Sequence, residues 1–309
     1  MKYSGIGGQA VMEGVMMRNG SKYAVAVRKS NGEIVTKEFP CGSPDNFWHK
    51  CPIIRGITSF VESLSMGMST LTYSASFFEE EDNKNEGPLT DEQLKKKEKK
   101  EKIEMGFTVF LAVILAVGLF FLFPYFVSSL IKKHIESYAL FALIEGAFRM
   151  ALFLGYVWAI SFMEDIKRMF MYHGAEHKCI NCLESGLELT VDNVRKSSKH
   201  HKRCGTSFIF IVFLLSVFAF MFIRIDNNLL QLGCRLLLIP VIAGVSYEFI
   251  RIAGRSENKL VSFLSKPGMF VQRLTTKEPD DEMIEVGIAS VEAIYDWREF
   301  LANFDKKED

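Results

Sequence analysis

The chain has 309 residues, 37 basic against 37 acidic side chains and a net charge of zero, and 49% of it is apolar. No stripe of interleaved basic and aromatic residues is present, so no nucleic-acid partner is expected, and the absence of GxxxxGK[ST] and GxSxG removes P-loop nucleotidases and α/β-hydrolases. The length would suit two soluble domains, but the apolar residues are gathered into long uninterrupted runs, and this redirects the reading toward a membrane protein.

The opening GIGGQAVMEGVMMRNG places Gly5, Gly7 and Ala10 at the spacing of a GxGxxA dinucleotide fingerprint. No strand can precede a motif that begins so early, so the glycines are expected to serve turns and close packing. Tyr23, Val25 and Val27 alternate, Ser30 to Gly32 makes a turn, and Ile34 to Phe39 returns, which predicts a β-hairpin. Glu13 is expected to be solvated, with reach toward the histidine segment described below as the alternative. After Pro52, Ile53, Ile57, Phe60, Val61, Leu64, Met68 and Leu71 recur at helical spacing. The polar face of that helix lacks the lysines and arginines of a membrane-surface helix, so packing against or beside the membrane spans is expected.

From Glu79 to Lys102 the composition turns acidic and then basic, as in a solvated linker. Thr90 and Gln93 spell a capping box from which a helix would run into the first span. Met105 to Ile131 contains no charged residue; at ~1.5 Å per residue it reaches about 40 Å, more than the roughly 30 Å of a hydrocarbon core. Further spans are predicted at Tyr138 to Met163, Gly205 to Ile223 and Leu229 to Ile250. Glu145 and Arg149, four apart, form an ion pair within the second span, and Arg235 is expected to snorkel from the fourth. Lysines before the first span and the eight basic residues between spans two and three, against few on the other side, place both termini and the intervening loop in the cytosol of a cell with an inner membrane.

That loop carries the chemistry. In YHGAEHKCINC, His173, Glu176 and His177 spell HxxEH, the inverse of the metalloprotease HExxH. On a helix the i and i+4 imidazoles share a face with the i+3 carboxylate beside them. Two neutral imidazoles, a third protein ligand and an open position suit zinc or a similar divalent ion, with Glu176 as general base. Cys204 ranks first as third ligand, then His201, then Glu248. Against this stand a closed zinc site built on Cys179 and Cys182 (CxxC) with His200, His201 or Cys204, which would only fold the loop, and histidines that bind no metal. Beyond the spans, Arg251, Arg255 and Lys259 could meet anionic headgroups or a phosphorylated substrate. Pro279 fits the first turn of a helix whose apolar stripe, Ile284, Ile288, Val291, Tyr295 and Leu301, would dock on the hairpin layer or on a cytosolic protein partner.

GGQAVMEGVMMR, YHGAEHK, HKRCGTSF, SYEFIRIAGR and QRLTTKEPDDEMIEV, in this order from residue 7 to residue 286, resemble the signature blocks of the YqhQ-like family of bacterial membrane proteins. That family has no assigned function and is described as a predicted metal-dependent enzyme. The resemblance implies roles for His173, Glu176, His177 and Cys204 and adds Glu13 and Glu248, each inside a block. Cys179 and Cys182 lie outside its pattern.

The sequence thus predicts a mainly α fold: a polytopic α-helical membrane protein of about four spans with a small cytosolic β-hairpin layer. Its parts are a hairpin and amphipathic helix (1–78), a charged linker (79–104), a four-span membrane domain with the HxxEH loop at 164–204 (105–250) and a C-terminal helical segment (251–309). The expected activity is that of a zinc-type metal-dependent hydrolase at the cytosolic membrane interface, with Glu13, Arg251 and Arg255 as candidates to touch substrate or support the ligands. The alternatives are a non-catalytic membrane scaffold with a structural metal and, behind it, a transporter.

Overall fold

The computed structural model describes residues 2–41, 51, 53–82, 91–131, 134–135, 137–223, 225, 227–255 and 258–304. In chain order the elements are β1 (Ile6–Val11), β2 (Gly14–Asn19), β3 (Lys22–Arg28), β4 (Ile34–Pro40), α1 (Ile54–Asp82), α2 (Asp91–Val117), a π-helical turn (Gly118–Leu122), α3 (Phe123–Ile131), α4 (Tyr138–Ile160), α5 (Glu164–Glu184), α6 (Val191–Lys196), α7 (Gly205–Phe220), α8 (Asn228–Arg255), α9 (Lys259–Thr275), α10 (Asp281–Glu292) and α11 (Trp297–Ala302). The fold is mainly helical with one four-stranded antiparallel sheet. Two compact units divide the chain: Met1–Glu79, Val157–Val212 and Leu236–Asp309 form the first, Glu80–Tyr156 and Phe213–Arg235 the second.

In the first unit the strands lie in sequence order, β1-β2-β3-β4. The expected hairpin is β3–β4, with Arg28 opposite Ile34. The glycine-rich opening, read as turns and close packing, instead supplies β1 and β2. The reason is an apolar set for each face of the sheet. Val15, Met17 and Ala26 pack with Tyr172, Ala175, Cys179 and Ile180 of α5 and with Met283 and Ile284 of α10. Val11, Met16, Val25 and Val27 pack with Met66, Tyr73, Phe77 and Phe78 of α1. Period-2 geometry sends neighbouring residues of one strand to these opposite layers. The predicted amphipathic helix is therefore α1, whose C-terminal half covers the sheet. Near its other end a Cβ on Gly56 would lie 2.6 Å from the Gly244 carbonyl oxygen, so α1 and α8 meet backbone to backbone.

Among the described residues, three helices are long and apolar enough to cross a membrane: Ile103–Ile131, Tyr138–Ile160 and Leu229–Ala253. The fourth apolar run forms α7, of 16 residues, about 24 Å long at ~1.5 Å per residue. The π-helical turn closes just before Pro124, whose ring nitrogen has no proton for the ladder. Of the linker, residues 83–90 lie outside the described ones, Thr90 of the capping box among them; α2 begins at Asp91 and runs on into the first apolar helix.

The second unit buries charge. Arg149 donates to Glu145 and, at 3.2 Å, to the Ser216 hydroxyl. Arg235 does not snorkel: it turns inward and donates to the other Glu145 oxygen. Both guanidinium groups stack on Phe220, Arg149 also on Phe121 and Arg235 on Tyr125 and Phe141. A carboxylate on the facing helix and a ring of π-faces hold it better than a route to the surface would.

Candidate metal centre

Helix α5 opens with Glu164 and Asp165 at the positive end of its dipole. Gly174, which by propensity weakens it, is there for space: a Cβ would lie 2.0 Å from the Lys277 carbonyl oxygen. The close approach of this segment lets the end of α9 reach His173, while the stretch between α6 and α7 reaches His177. His173 Nδ1 lies 2.9 Å from the Thr275 carbonyl oxygen, and His177 Nδ1 lies 2.7 Å from that of Lys199. A carbonyl can only accept, so both rings carry a proton on Nδ1, and Nε2 is the nitrogen of each ring left for another partner.

That nitrogen faces Cys204. His173 Nε2 is 3.3 Å from Cys204 Sγ, the two rings are 4.4 Å apart, and one ligand atom from each of His173, His177 and Cys204 lies within 4.8 Å of the others. Cys204 immediately precedes α7, and the Thr206 N–H donates to its sulfur at 3.4 Å. Burial pushes this thiol up, but His173 and His177 outweigh burial and hold it well below the usual thiol range. Conversely, burial pushes the His173 imidazole down, while Cys204, Glu176 and the Thr275 carbonyl raise it to about 9. His177 is raised against burial by Cys204 and Glu176.

Glu176 is buried, with Oε2 3.8 Å from His173 Nε2. Strand β1 makes room for it: a Cβ on Gly8 would stand 3.0 Å from Glu176 Cγ and 2.5 Å from the Met16 carbonyl oxygen. The GGQAV and HxxEH segments therefore require each other sterically.

The other sequence candidates are placed elsewhere. His201 turns Nε2 toward Glu184 at 3.5 Å, and its backbone N–H and carbonyl are both held by Gln272. Glu248 accepts from Arg55 at 2.7 Å, with Arg251 at 3.6 Å; the Arg255 side chain lies outside the described ones. Glu13, at φ +48° in the turn between β1 and β2, is not simply solvated. It reaches α5, where it accepts from Arg168 and from the Tyr172 hydroxyl at 3.2 Å, one residue before His173. Cys179 and Cys182 are core residues, their thiols pushed up by burial. Glu184 was missed. It accepts from Arg203 and from the Ser4 backbone and hydroxyl, and these with His201 hold it near pKa 2 against burial. Continuing the His173, His177 stripe along α5 by seven residues would have found it. Thr275 and Lys199 act through backbone carbonyls, which no residue type announces.

Two imidazoles and a thiol within 4.8 Å of one another are donor types that zinc takes. Tetrahedral zinc with bonds of ~2.1 Å to nitrogen and ~2.3 Å to sulfur spaces its donors about 3.5 Å apart, and the His173–Cys204 distance is 3.3 Å. Imidazoles anchored through the far nitrogen are the usual form of histidine ligands.

Sheet, helices and histidine–cysteine cluster together define a mainly helical protein with candidate membrane helices and a candidate metal centre on its sheet-bearing unit. The chain belongs to the family described as "Protein of unknown function (DUF1385)", which matches residues 51–297. It is 36% identical over 295 residues to "Uncharacterized protein YqhQ" of Bacillus subtilis (strain 168), covering 92% of this chain and 90% of that one. No solved structure matches it.

Proposed function

We propose that this chain is a membrane-embedded, metal-dependent enzyme, a hydrolase working at the cytosolic face of a bacterial inner membrane. The observation that carries the reading is the pair of Nδ1 anchors. With those protons committed to Thr275 and Lys199, the only unengaged ring nitrogens of His173 and His177 are the ones that converge on Cys204. Three protein ligands is the catalytic count, against four in structural sites. When bound, a zinc-type ion supplies Lewis acidity and lowers the pKa of water toward neutrality. The chain's own part is to hold that ion through His173, His177 and Cys204 and to accept a proton on Glu176.

In this reading α7, short as it is, crosses the bilayer with the three longer helices, so that four crossings return both termini to the cytosolic side, where the positive-inside pattern places them. The lipid bilayer is the first partner, and the face of α10 and α11 turned away from the sheet is where a cytosolic protein would bind.

The test is elemental analysis of the detergent-purified protein beside His173→Ala, His177→Ala and Cys204→Ala. We expect about one zinc or similar ion per chain, reduced several-fold in each variant; no metal in the wild type after reconstitution overturns the reading. Glu176→Gln separates enzyme from scaffold. It should keep the metal while abolishing hydrolysis, whereas loss of metal would make Glu176 a fourth ligand and the site a closed, structural one.

A further inference from the structure

Helix α9 is built inside out. Ser265, Gln272 and Thr275 are buried, whereas Phe263 is 65% and Phe270 62% exposed. At 100° per residue, Phe263, Lys266, Phe270 and Arg273 fall on one stripe, and Ser265, Gly268 and Gln272 on the opposite one. Lys266 lies 5.9 Å from the Phe263 ring and Arg273 5.1 Å from that of Phe270. In water this arrangement is upside down, since two phenylalanines are solvated while hydroxyl and amide groups are buried. The inner face has a structural reason: Gln272 holds His201 and the Ser207 hydroxyl, and Thr275 holds His173. Among the described residues, none covers Phe263 or Phe270 on the outer face.

We propose that this outer face is a docking surface for anionic lipid headgroups, with Phe263 and Phe270 inserted at the acyl boundary and Lys266 and Arg273 at phosphate level. Aromatic residues flanked by basic ones are the composition of an interfacial helix, and each cation near an anionic surface adds attraction. The same unit continues the surface. Leu237, Val241, Val245 and Ile252 make an exposed apolar stripe along α8, and Trp158, Phe162 and Met163 are exposed at the end of α4. The Lys277 ammonium, two residues past α9, donates to the Ser161 carbonyl at 3.3 Å and ties α9 to that aromatic end. Seated in this way, α9 offers one face to the headgroups and the other to His173 and His201, which fixes the cluster at the depth of the membrane surface.

The experiment uses the full chain in vesicles of phosphatidylcholine with and without phosphatidylglycerol, carrying Phe263→Trp or, should that variant not fold, Phe270→Trp. The emission added over wild type is read against brominated phosphatidylcholine and aqueous iodide. We expect strong quenching by the bromolipid, several-fold protection from iodide, and deeper quenching with phosphatidylglycerol that Lys266→Glu with Arg273→Glu removes. An added tryptophan open to iodide and untouched by bromolipid overturns the proposal, and so does quenching indifferent to phosphatidylglycerol, which would leave an apolar contact without headgroup recognition. No metal enters the measurement, so its outcome is independent of the elemental analysis.

Discussion

The cluster at His173, His177 and Cys204 and the cluster at Glu145, Arg149 and Arg235 both bury ionisable groups, yet they are opposite in what they leave over. At Glu145 each carboxylate oxygen is taken by a guanidinium, and the spare capacity consists of donors: the Arg149 and Arg235 Nε–H groups are buried with no acceptor. At His173 the Nδ1 protons are spent on two backbone carbonyls, and what remains is the far nitrogen of each ring, facing a sulfur. The first arrangement has nothing to offer a cation and acts as a clamp between helices. The second gathers two imidazoles and a thiol, all of metal-ligating type, within 4.8 Å of one another. Burial and perturbed charge are common to both; the unsatisfied remainder distinguishes them.

The largest test of this contrast is Glu145→Gln. It leaves two buried guanidinium groups without their counter-charge, a loss that typically costs about 3–5 kcal/mol. Folded yield and thermal midpoint in detergent should fall sharply while the fraction that folds retains its metal. A variant within a few tenths of a kcal/mol of wild type would mean that the surrounding π-faces alone hold both arginines.

Gly174→Ala acts on the other cluster. Helix propensity favours alanine by ~1 kcal/mol, but the added methyl would meet the Lys277 carbonyl oxygen, two residues from the Thr275 carbonyl that holds His173. Overpacking of this kind costs roughly 1–3 kcal/mol, so a net loss of stability together with weaker metal retention is expected. A more stable variant with its metal intact would show that the close approach of these segments is incidental.

Glu184 supplies a pH signature for the sheet-bearing unit. Its carboxyl is held near pKa 2 in the folded chain against an ordinary 4.5. A lowered folded value means that the ionised form stabilises the fold: the contribution is complete above about 4.5 and is lost as pH falls toward 2. The thermal midpoint of the wild type should therefore drop more steeply over that window than that of Glu184→Gln. Parallel curves would remove Glu184 as the anchor joining Ser4, His201 and Arg203.

Much of this was legible in advance because apolar runs and the HxxEH spacing are local signals. The first long helix follows from an uncharged stretch and the other two from apolar runs broken by few charges, and α5 brings His173 and His177 together because i and i+4 share a face. What was not legible depends on contacts distant in sequence. Nothing local says that Arg235 will find Glu145, that Gly8 makes room for Glu176, or that the Thr275 carbonyl fixes the His173 tautomer. The β1–β2 pair was missed for a related reason. In β2 Gly14 to Met17 are buried in succession, and in β1 two glycines stand between Ile6 and Gln9, so neither strand shows the apolar–polar alternation that betrays a half-exposed strand.

The smallest expected effect separates the three cysteines of the same segment. Cys179 and Cys182 have the CxxC spelling of a zinc knuckle, and Cys204 does not, yet their chemistry runs the other way. Cys182 donates its thiol proton toward the Leu187 and Glu188 carbonyls, which a zinc thiolate could not do. Cys179 sits in the core, where a Cβ on Gly287 would come within 2.9 Å of its sulfur. Only Cys204 has imidazoles to stabilise its anion. Cys179→Ala and Cys182→Ala should then cost on the order of 1 kcal/mol each as lost apolar packing and leave metal stoichiometry unchanged. Metal lost from either variant, with Cys204 still in place, would transfer the site to the CxxC and make the convergence of His173 and His177 on Cys204 a matter of packing.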